Sequence, residues 1–509
     1  MRNSVHLIVY TARLGGTIRQ TGELLRSGFG DAIGGVHLLP YFTPFDGVDA
    51  GFDPVDHTAV DPRLGTWEDI RNISRDYQVT TDMIVNHMSS HSAQFRDVLA
   101  RGQDSPFAPM FLSLSTVFPD GATEDDLARI YRPRPGLPFT AMRVGAEKRL
   151  MWTTFTSEQV DIDVESEPGR AYLLQILDAL AGAGVSLVRL DAVGYAIKRA
   201  GTTCFMIPQT FAFIDRIRAA ANERGLEVLV EVHSHYEDQV RIAAQVDWVY
   251  DFALPPLLLH TLFTGDGTAL LHWLRVRPHN AMTVLDTHDG IGVIDVGPGE
   301  LRADGTRPDG LLTPGQVGAL VEEIHRRTRG ESRQATGAAA SNLDLYQVNS
   351  TYYAALGGDD QAYLIARAVQ FFVPGVPQVY YVGALAGGND MDLLAATGVG
   401  RDINRHRYTP EEVRCELRRP VVRELVALMR IRSTHPAFDG AFSLLSADAT
   451  AMSLEWRGGD RGEHLARLDV DWRTREASIR LSAADGPVTA PLSKVSALVA
   501  RLPHGVRTH

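Results

Sequence analysis

The residues best suited to chemistry sit at the ends of apolar runs. Val185 to Tyr195 reads VSLVRLDAVGY. Val185, Leu187, Val188 and Leu190 give it the character of a buried parallel strand, and two charges, Arg189 and Asp191, interrupt its far end. Residues two apart in a strand share a face, so guanidinium and carboxylate project together. Charges at the end of a buried strand are costly unless paired. A neighbouring cation also favours the ionised carboxylate that a nucleophile requires. Taken alone, the pair equally fits a structural ion pair. Two other runs end in the same way: Glu231 lies near the end of LEVLVEVHS, and His288 and Asp289 close AMTVLDTHDGIG.

The elements that must position these residues recur along the chain. Strand-like runs appear at Val5–Thr11, Gly35–Pro40, Thr80–Asn86, Val185–Asp191, Leu226–Val232, Trp248–Phe252, Met282–Asp289 and Val376–Tyr381. Amphipathic helical stretches such as Tyr172–Ala183 and Phe211–Arg224 lie between them. Strands alternating with helices imply parallel βαβ units, and eight of them fit an α/β fold of the (β/α)8 TIM barrel type, whose reactive residues stand at the C-terminal ends of the strands. The barrel is expected at 1–86, 168–289 and 358–437. Pro- and Gly-rich text such as YRPRPGLPFT marks an inserted, loop-rich lobe at 87–167, and a second insertion falls at 290–357. From 438 to 509 alternating polar and apolar residues predict a C-terminal antiparallel β domain.

Three carboxylates thus fall at one barrel mouth, although buried carboxylates are rare; separate structural ion pairs are the plainer alternative. Two carboxylates flanking a sugar bond are the arrangement for glycoside chemistry, with one ionised and one protonated. Arg189 would keep Asp191 charged as nucleophile. Glu231, with apolar strand neighbours and an anion nearby, would act as general acid and then base. Asp289 would stabilise the developing oxocarbenium charge.

Composition narrows the class. The 509 residues are 44% apolar and 22% charged with a net charge of −12, which argues against nucleic acid as the main partner. The two cysteines, Cys204 and Cys415, read as free thiols of a reducing compartment. No signal-peptide pattern and no run of about 18 apolar residues is found, so a soluble, cytoplasmic protein without membrane contact is expected.

VRLDAVGY, MIVNH, EVHS and LDTHDGIG resemble the four signature regions of the α-amylase family of glycoside hydrolases. ALAGGNDMDLLAATGVGRDINRH, GAAASNLDLYQVNSTYY, PYFTPFDGVDAGFDPVDH and IYRPRPGLPFT are similar to the sucrose phosphorylase subfamily, nearly throughout to about Ala437. The resemblance implies that Asp191 is the nucleophile, Glu231 the acid/base and Asp289 the transition-state stabiliser. It implies that Asp49, His87, Arg189, His288 and Arg401 hold the glucosyl hydroxyls. Phe52 and Phe155 would form an apolar platform, and Tyr195 another substrate contact. Other readings stand beside these. Asp49 suits a turn, and Arg401 suits a solvated helix cap. His87 and His91 are spaced for a metal without a further ligand cluster. Asp46, Asp49, Asp53 and Asp56 suggest calcium, but not with EF-hand spacing. No metal and no cofactor are expected.

The implied reaction is the glycosyltransferase-type one of a phosphorylase: sucrose and phosphate giving glucose 1-phosphate and fructose with retention. Phosphorolysis requires an anion to be held beside carboxylates, so a cation and hydroxyl donors must serve the acceptor site. The candidates are Arg134 in the first insertion, and Tyr346 with Gln347 in the second; Asp344 would instead accept hydrogen bonds from fructose. Arg134 also fits a surface charge beside prolines. Alternatives on the same barrel are phosphorylases of sucrose 6′-phosphate, glucosylglycerol or glucosylglycerate, a hydrolase or transglucosylase, and a non-catalytic amylase-like protein. From the resemblance alone, a homodimer through the first insertion is expected.

Overall fold

The eight expected strands are all present and close on themselves. They are β1 (His6–Val9), β2 (Gly35–Leu38), β3 (Gln78–Ile84), β4 (Val185–Asp191), β5 (Glu227–Val230), β6 (Trp248–Asp251), β7 (Ala281–Thr283) and β8 (Val376–Tyr380). Every neighbouring pair is parallel, and β8 returns to β1, completing the barrel. The computed structural model describes residues 1–47, 49–132, 136–299, 306–338, 347–483 and 486–499. The strands are nearly continuous runs of buried residues because helices cover their outer faces. The helices Glu167–Gly182 and Pro208–Asn222 each carry one buried apolar stripe.

Several strands stop short of their apolar runs, β7 most of all. The apolar run Met282–Asp289 reads as strand throughout, but β7 stops at Thr283. Its last partner on β8 is Pro377, which has no N–H to offer. Beyond it the Asp286 side chain takes over, accepting from the Tyr380 N–H at 3.2 Å and pairing with Arg367 at 2.5 Å. His288 and Asp289 therefore stand on the loop after β7.

Two connections are long. Between β3 and β4 lie an antiparallel hairpin, Phe139–Val144 with Glu147–Trp152, and a short pairing of His87–Ser89 with Gln159–Asp161. Between β7 and β8, Ile291–Gly292 pairs with Gln347–Val348. The chain ends in a five-stranded antiparallel sheet of β9 (Ala441–Ala447), β10 (Ala451–Gly458), β11 (His464–Asp471), β12 (Glu476–Leu481) and β13 (Val488–Pro491). It docks on the helix before β8: Trp456 donates its indole N–H to the Phe372 carbonyl at 2.6 Å.

Several histidines are held away from water. His6 lies over Gly35, where a Cβ would stand 2.3 Å from the imidazole, so only glycine leaves room for it. Burial holds His6 and His288 down at about 3 and His57 at about 4, against about 6.5 for a solvated imidazole. Between about pH 6.5 and 4 the unfolded chain therefore binds protons that the native chain does not, and stability is lost as pH falls through that window. Scanning calorimetry should show a thermal midpoint falling steadily from about pH 7 to 4.5; a flat midpoint over this range would contradict the buried neutral state.

Candidate active site

Strand register assembles the centre. Arg189 on β4 is the direct partner of Asp82 on β3 and of Leu229 on β5. Paired residues on parallel strands share a face, so Arg189 and Asp82 meet inside the barrel, and the guanidinium Nη1 donates to Asp82 Oδ1. Two residues further along are Asp191, the last residue of β4, and Glu231, the first residue beyond β5. Nη1 also reaches Asp191 Oδ1 at 3.0 Å, and Nη2 reaches Glu231 Oε1 at 2.6 Å. One cation therefore holds three carboxylates. Arg189 and Asp82 are buried, while Asp191 and Glu231 remain 13% and 14% exposed toward the mouth.

This sharing changes the expected electrostatics. Arg189 does not serve Asp191 alone, because Asp82 and Glu231 draw on the same charge. Burial pushes the Asp191 carboxyl well above the ordinary carboxylate range; Arg189 opposes this, and the Glu231 charge adds to it. Asp82 goes the other way: burial raises it, but Arg189 and His37 outweigh burial and hold it low. Asp191 is thus pushed toward its protonated form by burial and by the neighbouring Glu231, with Arg189 as the opposing charge.

Asp289 faces a different set of partners, two arginines and a neutral imidazole. Arg401 lies 2.9 Å from its Oδ1, His288 3.8 Å and Arg405 3.9 Å. Burial acts to raise its carboxyl, but Arg401 and Arg405 prevail, so it is held well below the usual range as an anion. The turn Gly400–Asn404 fixes this loop: Asn404 donates to the Asp289 carbonyl at 2.8 Å, and Arg405 to the His288 carbonyl at 3.0 Å. Arg401 is thus an ion-pair partner of Asp289, not a solvated cap.

The remaining residues line the space above. Phe52 stacks on His288 with centroids 4.9 Å apart, and the Arg189 guanidinium lies 5.6 Å from its ring. His87 is held by the Phe52 carbonyl at 2.9 Å and faces Gln159 at 3.1 Å; burial lowers its pKa, leaving it neutral. Asp49 sits in a turn, its carbonyl accepting from the Phe52 N–H at 2.9 Å, and its carboxylate takes Gln159 at 3.4 Å. Phe155 packs between His87 and Tyr195, each at 5.2 Å. Tyr195 continues into Phe205 and Tyr131, forming an aromatic wall. Gln347 accepts from the Gly290 N–H at 3.2 Å, beside Asp289. Arg134, Asp344 and Tyr346 lie outside the described residues.

Several site residues escaped the sequence reading. Asp82 and His37 are single polar residues inside the apolar text TTDMIV and GVHLL. Gln159 reaches His87 because the chain returns antiparallel 72 residues later. The same return places Asp161 against Lys198 at 2.5 Å, and Lys198 donates to Asn86 at 2.6 Å and to the Tyr195 carbonyl at 2.5 Å, a buried strut behind His87. The metal readings have other partners: His91 pairs with Glu158 at 3.3 Å, Asp46 with Arg63 at 2.6 Å, and Asp53 accepts from the Asp49 N–H at 3.2 Å. Among the described residues no group of three or more His, Cys, Asp or Glu is placed to hold a metal ion. Cys204 and Cys415 are both free thiols, the first buried and the second exposed. No described helix is long and apolar enough to cross a membrane.

The catalytic-domain model of the α-amylase family matches residues 32–250. The chain is 59% identical over 459 residues to the sucrose phosphorylase of Bifidobacterium adolescentis, covering 90% of each chain. It is 56% identical over 484 residues to that of Agrobacterium vitis, covering 95% of this chain and 98% of the relative. Among solved structures, sucrose 6F-phosphate phosphorylase from Thermoanaerobacter thermosaccharolyticum superposes with a TM-score of 0.88 at 36% identity, covering 96% of this chain and 98% of that one.

Proposed function

The chain belongs to the sucrose phosphorylase branch of the α-amylase family, and from that premise we propose that it transfers glucose from sucrose to inorganic phosphate, giving α-glucose 1-phosphate and fructose. The observation that carries this reading is the single guanidinium of Arg189 spanning Asp191 and Glu231. It holds the two carboxyls side by side at the mouth, and a retaining reaction requires them to stand about 5–5.5 Å apart.

In the first half-reaction Glu231 acts as the general acid, giving a proton to the fructosyl oxygen as the C1–O bond breaks. The Asp191 carboxylate forms the new bond to C1, and fructose leaves with the proton. Asp289, kept anionic by Arg401 and Arg405, faces the positive charge that grows on the ring. In the second half phosphate attacks C1 from the face that fructose left, and Asp191 is released. Two inversions give net retention. The chemistry calls for no cofactor, phosphate being a co-substrate, and it suits a cytoplasmic pool of both.

Phosphate must approach two carboxylates, and Arg134 with Tyr346 is the proposed counterweight, Asp344 serving fructose instead. Sucrose 6F-phosphate is the second reading, prompted by the structural relative named for it. Ala338–Asn349 carries no Lys or Arg to meet an added phosphoryl group, which favours plain sucrose. The test is incubation with sucrose, with and without phosphate, scoring glucose 1-phosphate against free glucose. Phosphate should make glucose 1-phosphate the main product, and Arg134→Ala should lose phosphorolysis more than hydrolysis. Free glucose irrespective of phosphate would instead indicate a hydrolase.

A further inference from the structure

We propose that His37 is a positioning residue for this reaction, acting through Asp82 to set how Arg189 is divided between Asp191 and Glu231. The proposal rests on the glucosyl-transfer reading of those two acids. His37 lies on β2, one strand from Asp82 and two from Arg189. Its Nε2 donates to Asp82 Oδ2 at 3.0 Å, while the other oxygen, Oδ1, takes Arg189 Nη1. Asp82 is therefore gripped from both sides. His37 and Asp82 are 1% and 0% exposed, so no water competes for either contact. The His37 Nδ1 is buried with no hydrogen-bond partner among the described residues, leaving the Asp82 contact as the polar work of this ring.

The consequence follows from one nitrogen having two customers. Nη1 is shared between Asp82 Oδ1 and Asp191 Oδ1. Without the His37 donor, a fully buried carboxylate is left with Arg189 as its main support, and burial drives it to take up a proton. Nη1 then passes to Asp191 alone, and two carboxylates rather than three draw on the guanidinium. Both become easier to ionise, so the proton that Glu231 must donate is lost at lower pH. The other groups facing Asp82 are His288, Tyr41, Tyr250 and Asp191, with His57 Nε2 on its backbone carbonyl at 3.4 Å. None of them replaces a donor at Oδ2. The residues above the acids, Asp49, His87 and Arg401, are untouched, so binding should change little.

The experiment compares His37→Leu with His37→Gln, whose amide N–H can reach the same oxygen. For His37→Leu the basic limb of the kcat profile with sucrose and phosphate should move down by about one pH unit, a tenfold loss on that limb, with KM nearly constant. His37→Gln should keep the wild-type profile within about twofold. If His37→Leu does not fold, His37→Asn, polar but too short to reach Asp82, takes its place. An unshifted profile with activity lost only in amplitude, or equal shifts for Gln and Leu, would overturn the proposal. Carboxyl-carbon NMR titration of substrate-free protein reads the same shift at Asp191 and Glu231. Should wild-type protein leave sucrose untouched, the functional reading fails while this titration still decides the relay.

Discussion

Asp191→Asn is expected to lower turnover of sucrose with phosphate by about 10⁴-fold or more, without loss of fold. A carboxamide has the same shape but cannot form the ester to C1, and no other described carboxylate can substitute. Asp82 lies a level deeper and is engaged by His37 and Arg189, and Asp289 is on the far loop with Arg401. The stability forecast runs against the usual penalty for breaking an ion pair. Asp191 is one of three carboxylates around one guanidinium, and burial together with Glu231 already disfavours its ionised form. Removing it relieves that conflict, so the thermal midpoint should stay level or rise. A variant that unfolds, or retains more than about a hundredth of wild-type kcat, would refute the assignment.

Glu231→Gln should have the second-largest effect, and one that depends on the leaving group. With sucrose the departing fructosyl oxygen needs a proton, so glycosylation should slow by about 10³-fold, within the range for a lost general acid. α-Glucosyl fluoride has a leaving group that departs without one, so its loss should be far smaller. Phosphate, already an anion, needs no base to attack the glucosyl enzyme, whereas water does. The variant should therefore still make glucose 1-phosphate from the fluoride while hydrolysis collapses. Equal losses on both donors would mean that Glu231 handles no proton.

Much of this was legible in the sequence where side-chain period and strand position decide the outcome. VRLD puts Arg189 and Asp191 on one face by the two-residue repeat alone, and eight apolar runs separated by helical text suffice for the barrel. What escaped depends on register between distant strands. Asp82 and His37 look like ordinary core residues until β2, β3 and β4 are aligned, and their alignment changes the electrostatics, because Arg189 serves three acids and not one. Gln159 and Asp161 become neighbours of His87 and Asn86 only through the antiparallel return of the insertion. The early end of β7 follows from Pro377 on another strand and from Asp286 capping Tyr380, which AMTVLDTHDG does not reveal. Arg401 read equally as solvent-facing until the loop after β8 folded it onto Asp289.

Transfer with retention requires a glucosyl ester at the Asp191 carboxyl, and peptide mapping by mass spectrometry tests for it most directly. Glu231→Gln enzyme is mixed with α-glucosyl fluoride in phosphate-free buffer, quenched in acid and digested. The peptide spanning Val185 to Tyr195 should carry one added hexosyl residue, with the modification at Asp191, and should lose it when phosphate is supplied before the quench. An unmodified peptide, or a hexosyl group on any other residue, would contradict the account.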